Sequence, residues 1–175
     1  MLKREARVLG LSGTTVRGRT IVVSVVFRGA LWLDGIATCV MDARERNYLP
    51  KVSDLIKKSK QFSQLHAILI SSRFGRNREL SIQDLARKLK LPVIAIKSGK
   101  GRTTGKQGVN NFDIEANGKR VLVSAAGVDR DGAERLYAIG CSKRGKTPEA
   151  VRVADLLAKE LTRIVPNRGP QPGTK

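Results

Sequence analysis

Residues Gly140-Cys-Ser-Lys-Arg-Gly145-Lys146-Thr147 satisfy the pattern G-x-x-x-x-G-K-[ST]. In that pattern a loop wraps phosphates, the lysine neutralises them and the hydroxyl holds magnesium. Such a loop should follow a buried strand and precede several strand-helix units that supply a magnesium-binding acid, yet only residues 148–175 remain here. Pro148 also fits an ordinary helix start, so a nucleotide site is rejected. A second loop, from Gly99 to Gly108, is rich in glycine and carries Lys100, Arg102 and Lys106 beside Lys97. Gln107 stands where a magnesium-binding hydroxyl is needed. Exposed backbone amides with these cations suit the phosphates of a nucleic-acid backbone better than a nucleotide.

The remaining cations support that reading. The chain has 34 lysines and arginines against 15 acids in 175 residues, a formal charge of +19. Such an excess repels itself unless a polyanion offsets it. Heat adaptation would raise lysine and glutamate together, and here the acids are scarce. Arg73, Arg76 and Arg78 form one cluster, Lys143, Arg144 and Lys146 another. Cys39, Cys141 and His66 are too few and too scattered for a structural zinc site. They point to a reduced compartment, and a cytoplasmic location is expected. The apolar run from Ile21 to Phe27 is far short of a membrane span, so no membrane partner is expected.

These groups must be positioned by a mixed sheet. Ala6 to Leu11 reads as a short strand ending in turn residues Ser12-Gly13-Thr14-Thr15. Thr20–Phe27 and Leu31–Met41 complete a three-stranded antiparallel meander. Tyr48, Leu49, Val52, Leu55, Ile56 and Phe62 recur at helical spacing. His66–Ile70, a helix around Leu80–Leu89 and Val93–Ile96 form a βαβ unit with parallel strands. Phe112–Ala116 and Val121–Ala125 flank Asn117-Gly118, a hairpin signal. A short helix over Asp131–Ile139 follows. A final one begins at Pro148, with Thr147 as cap and Ala150, Val151, Ala154, Leu157, Ala158, Leu161 and Val165 as its buried stripe. One α/β domain spans residues 1–165, followed by a flexible basic tail at 166–175.

Several segments then form a series: Arg7-Val-Leu-Gly10, Val25-Val-Phe-Arg-Gly29, Leu33-Asp-Gly35, Ser59-Lys-Gln-Phe-Ser-Gln-Leu65, Leu91-Pro-Val-Ile94 and Pro148-Glu-Ala-Val-Arg-Val-Ala154. The chain resembles the archaeal domain-of-unknown-function family ninety-nine, whose members look like relatives of endonuclease V with a ribonuclease-H-like fold. The resemblance implies a mixed sheet, an antiparallel meander followed by parallel strands, with flanking helices. It also implies acids at strand ends that hold magnesium against the scissile phosphate. Where the family carries an Asp after the first strand this chain has Ser12, and where it carries another after the fourth strand this chain has Ser71. Neutral hydroxyls are poor substitutes for carboxylates.

The remaining acids offer a weak replacement. Asp42 ends the third strand, Asp34 suits a turn, and Asp155 falls where the family has a histidine. The polar helical face it shares with Arg152 and Lys159 suggests an exposed ion pair. The expected function is therefore a non-catalytic RNA-binding protein, a component of a ribonucleoprotein such as the ribosome, with no cofactor. Contact is expected through Arg73, Arg76, Arg78, Lys97, Lys100, Arg102, Lys106, Lys143, Arg144 and Lys146, and RNA is favoured over DNA. Phe74, flanked by Arg73 and Arg76, is the one aromatic placed to stack on a base. The competing reading is a magnesium-dependent nuclease using Asp42 with Asp34 or Asp155.

Overall fold

A computed structural model describes residues 5–74, 80–97 and 108–164. β1 (Arg7–Val16), β2 (Arg19–Arg28) and β3 (Trp32–Asp42) form the meander. β1 runs through Ser12 to Thr15 instead of turning there, because its β-branched end pairs rung by rung with β2, Thr14 against Ile21 and Thr15 against Thr20. The turn falls at Arg17-Gly18, where φ values of 50° and 74° suit the tight reversal of a two-residue hairpin. Ser12 is thus a mid-strand residue, opposite Val23.

α1 (Leu49–Lys57) follows, shorter than the periodicity predicts, and its last predicted apolar residue, Phe62, opens a separate 3-10 turn to Gln64. β4 (Leu65–Ile70), α2 (Ile82–Leu89) and β5 (Val93–Ile96) make the βαβ unit, with β4 and β5 parallel. Ser81 caps α2 by accepting the Asp84 N–H. β6 (Asn110–Ala116) and β7 (Lys119–Ala126) pair across Asn117-Gly118, as that dipeptide predicts. α3 (Arg130–Gly140) is capped by Asp129, and α4 (Glu149–Ile164) closes the described chain.

The seven strands form one sheet in the order β3-β2-β1-β4-β5-β7-β6. Strand alternation sorts its side chains into two cores. Leu9, Leu11, Val22, Ile68, Ile70 and Val93 pack under α1 and α2. Val8, Val23, Ala67, Leu69, Ile94 and Val123 pack under α3 and α4. Gly10 lets α4 cross β1 in contact, since a Cβ there would collide with the Ala150 backbone. Among the described residues no helix is long and apolar enough to cross a membrane.

Candidate nucleic-acid interface

Ser12 and Ser71 come together because their strands are adjacent and parallel. β1 pairs with β4, Leu11 beside Ile70, and the ladder continues through the Ser71 N–H to the Leu11 carbonyl at 2.8 Å. By alternation both serines face α4, in line with Val8 and Gly10 on β1 and with Ala67 and Leu69 on β4. Both are buried, at 0% and 1% exposure.

The group above them is Asp155. Its Oδ1 accepts the Ser12 hydroxyl at 2.5 Å and the Ser71 hydroxyl at 2.6 Å. This corrects the expectation of an exposed ion pair with Arg152. Arg152 instead donates from Nε and one terminal nitrogen to Glu149 Oε2, at 2.8 and 2.7 Å. The cause is helical geometry: Ala154 is buried against the sheet, and a step of about 100° turns the next residue onto the flank above the β1–β4 junction.

The other two acids lie elsewhere. Asp34 is at the opposite end of the sheet, where it accepts from Arg7 Nε at 2.7 Å, a structural ion pair. Asp42 ends β3, paired through Arg19 at the start of β2. It is two strands away from Ser12 and four rungs further along, roughly 16 Å by strand spacing and rise. The Arg44 backbone N–H on its Oδ1, at 2.8 Å, is the main influence holding its carboxyl below the usual range. Asp34, Asp42 and Asp155 therefore do not converge.

Magnesium calls for a near-octahedral oxygen set, usually with one or two carboxylates held open to it. At the β1–β4 junction one carboxylate is present, and its Oδ1 is already engaged by two hydroxyl donors. Among the described residues no three His, Cys, Asp or Glu side chains group closely enough to hold a metal ion. This donor set does not fit the two-acid magnesium site of the nucleases that the motif series resembles.

Cations stand beyond the strand ends and on the loop that leads into α4. Arg73 follows β4 and Lys97 follows β5, so both stand at the carboxyl edge of the parallel pair, and both are exposed. The Ser71 hydroxyl also accepts the Arg73 N–H at 3.2 Å, which fixes the start of that loop. Lys143, Arg144 and Lys146 are exposed on the loop between α3 and α4. Asn117, at the β6–β7 turn, donates to the carbonyls of Ser142 at 2.9 Å and Gly145 at 2.6 Å, tying that loop to the hairpin tip. The motif Gly140–Thr147 follows a helix, not a strand, in keeping with its rejection as a nucleotide site. Sequence reasoning missed Lys119, whose ammonium lies beside that of Lys146. This like-charge proximity lowers its pKa.

Arg76, Arg78, Lys100, Arg102, Lys106 and the segment 166–175 lie outside the described residues. Phe74 does not stack on a ligand. It is fully buried, parallel to Tyr48 with ring centroids 6.3 Å apart, and a Cβ on Gly13 would lie 2.5 Å from its ring. Its arginine neighbours in sequence disguise a core residue.

No family model matches the chain. Over 181 residues it is 26% identical to the UPF0215 protein of Methanosarcina acetivorans, covering 90% of this chain and 91% of that protein. A protein of unknown function from Archaeoglobus fulgidus superposes with a TM-score of 0.74 at 20% identity, covering 89% of this chain and 97% of that one. A variant of Ciona intestinalis endonuclease V, crystallised with a 23mer DNA containing an inosine followed by a ribo-adenosine, gives a TM-score of 0.67 at 14% identity. That match covers 92% of this chain and 87% of the other. The fold is endonuclease V-like, as the motif series implied. These relatives are archaeal and carry the name UPF0215.

Proposed function

We propose that this protein binds the phosphate backbone of structured RNA at its basic carboxyl edge and does not cut it, serving as a component of a ribonucleoprotein. The observation that carries this reading is the pair of serine hydroxyls donating to Asp155 at the β1–β4 junction. Nuclease chemistry on this fold would place negative charge on those strands to bind cations. Here the strands supply neutral donors, and their partner acid is tied down by them. The exposed Arg73 and Lys97 beyond the strand ends, with Lys143, Arg144 and Lys146 on the loop before α4, favour an anionic ligand. The scale of the charge in so small a domain favours RNA over DNA.

Replacing Arg73, Lys97 and Lys146 together by alanine tests the interface. Binding to unrelated RNA sequences should weaken to a similar extent. The slope of log affinity against log salt should flatten by about one unit per lost phosphate contact. An unchanged slope would place the interface elsewhere. RNA recovered with the protein from its native cells at mild salt would identify the particle, and recovery without RNA would count against it.

A further inference from the structure

The far edge of the sheet has the opposite character. Among the described residues, seven large apolar side chains are exposed, and five of them are Leu31 at 81%, Trp32 at 58%, Leu33 at 50%, Ile36 at 50% and Val40 at 53%. All five lie on β3 or the turn before it. β3 is an edge strand of eleven residues, paired to β2 on one side only. Its other side presents a row of backbone donors and acceptors to solvent, a template for another strand.

Register explains why this apolar surface is bare. Ile36 pairs with Val25 and Val40 with Ile21, so both face the α3–α4 side of the sheet. α4 packs on β1 and β2, with Asp155 turned toward β4. Its opposite flank, with Val153, Leu157 and Ile164 about 100° or less apart around the helix, points toward β3. The outer face of β3 is left uncovered beside it.

Charge selects the occupant. From Gly29 to Ala43 the sequence contains no lysine or arginine, the longest such stretch in a chain of formal charge +19. On the α3–α4 side β3 itself offers a polyanion no cation, Ile36 and Val40 lying beside Val25 and Ile21, while Lys51, Lys58 and Lys60 approach the strand from the α1 side. A second copy of this chain, itself strongly basic, can approach there with the least repulsion, and depletion of charge with an exposed tryptophan is the composition of an interface core. An edge strand laid antiparallel against its own copy generates a two-fold axis without any further complementarity.

We propose that the protein forms a two-fold dimer through β3, the two sheets continuing across the axis, with Ile36 at its centre and Leu33 and Val40 beside it on the same face. This inference does not depend on the RNA-binding reading. In such a dimer the two basic edges, set around β4, β5 and the β6–β7 hairpin, remain open.

The full chain, treated with nuclease and held in high salt to remove bridging polyanion, should sediment at twice the 19.1 kDa chain mass. Ile36→Lys, at a half-exposed position, should sediment as a monomer at the same concentration while keeping its circular dichroism spectrum and thermal midpoint. A wild-type chain that stays monomeric across the concentration range would overturn the proposal, as would an Ile36→Lys chain that stays dimeric. Should Ile36→Lys fail to fold, Val40→Lys serves the same comparison with the same two outcomes.

Discussion

The junction beneath α4 and the cations on the loops beyond the strand ends belong to one sheet but are put to different use. At the junction, Ser12 and Ser71 are buried, in register and bonded to one carboxylate. On the loops, Arg73, Lys97, Lys143, Arg144 and Lys146 are exposed. Among the described residues the ion pairs fall elsewhere, Arg7 with Asp34 and Lys51 with Glu45 among them. The contrast separates stability from binding. Changes at the junction should cost folding free energy with little direct effect on affinity, and changes on the loops should do the reverse.

The strongest test of the junction is Gly10→Ala. Its methyl would meet the Ala150 backbone, and backbone of a packed helix cannot swing aside as a side-chain tip can. α4 would have to lift from β1, at a cost of about 3 kcal/mol or more, read as a lowered midpoint in urea. A wild-type midpoint would mean that α4 does not sit directly on β1.

Asp155→Ala comes next. It leaves two buried hydroxyls without their acceptor, a loss of about 2 kcal/mol for a half-buried cluster bonded to a carboxylate. Ser12→Ala and Ser71→Ala should each cost less. Adding either to Asp155→Ala should cost little more, because the bond is already gone. Additive losses in denaturant melts would show that the three groups do not act as one cluster. RNA affinity measured on the folded fraction should change little in any of them.

The smallest effect concerns Cys141, at the end of α3 where the cationic loop begins. Burial first, then the nearby Glu149 charge, pushes its thiol up to about 12 from an ordinary value of 9.0. An acid whose pKa is raised by folding contributes stability that is present below its unfolded value and lost as pH rises toward its folded one. Between about pH 9 and 12 the unfolded chain should therefore gain relative to the folded one through this group. The direct readout is alkylation at pH 8.5, slow in the folded protein and fast in urea. Equal rates would deny the burial.

Much of the architecture was legible because it is written in local chemistry. Asn117-Gly118 named the hairpin, Val93–Ile96 was read to the residue, and β4-α2-β5 announced a parallel pair. The first strand was cut short because serine, glycine and threonine resemble a turn, and only pairing with β2 draws them into the sheet. Asp155 was misread because its two contacts span 143 and 84 residues of sequence. Helical spacing near Arg152 and Lys159 could not report a partner on a distant strand. Phe74 was misread for a similar reason: its arginine neighbours are local, whereas Gly13 and Tyr48, which make room for it and stack on it, are not. The one signal that could have corrected Asp155 was the pairing of facts already visible, two serines where acids were expected and an unexpected acid in the last helix.

The central claim, that a polyanion is held and not cut, is tested most directly by incubating the pure protein with end-labelled structured RNA and inosine-containing DNA, with magnesium or manganese and without. The account predicts salt-sensitive retention of RNA and full-length substrate in every lane. Metal-dependent cleavage that disappears in Asp155→Ala would contradict it.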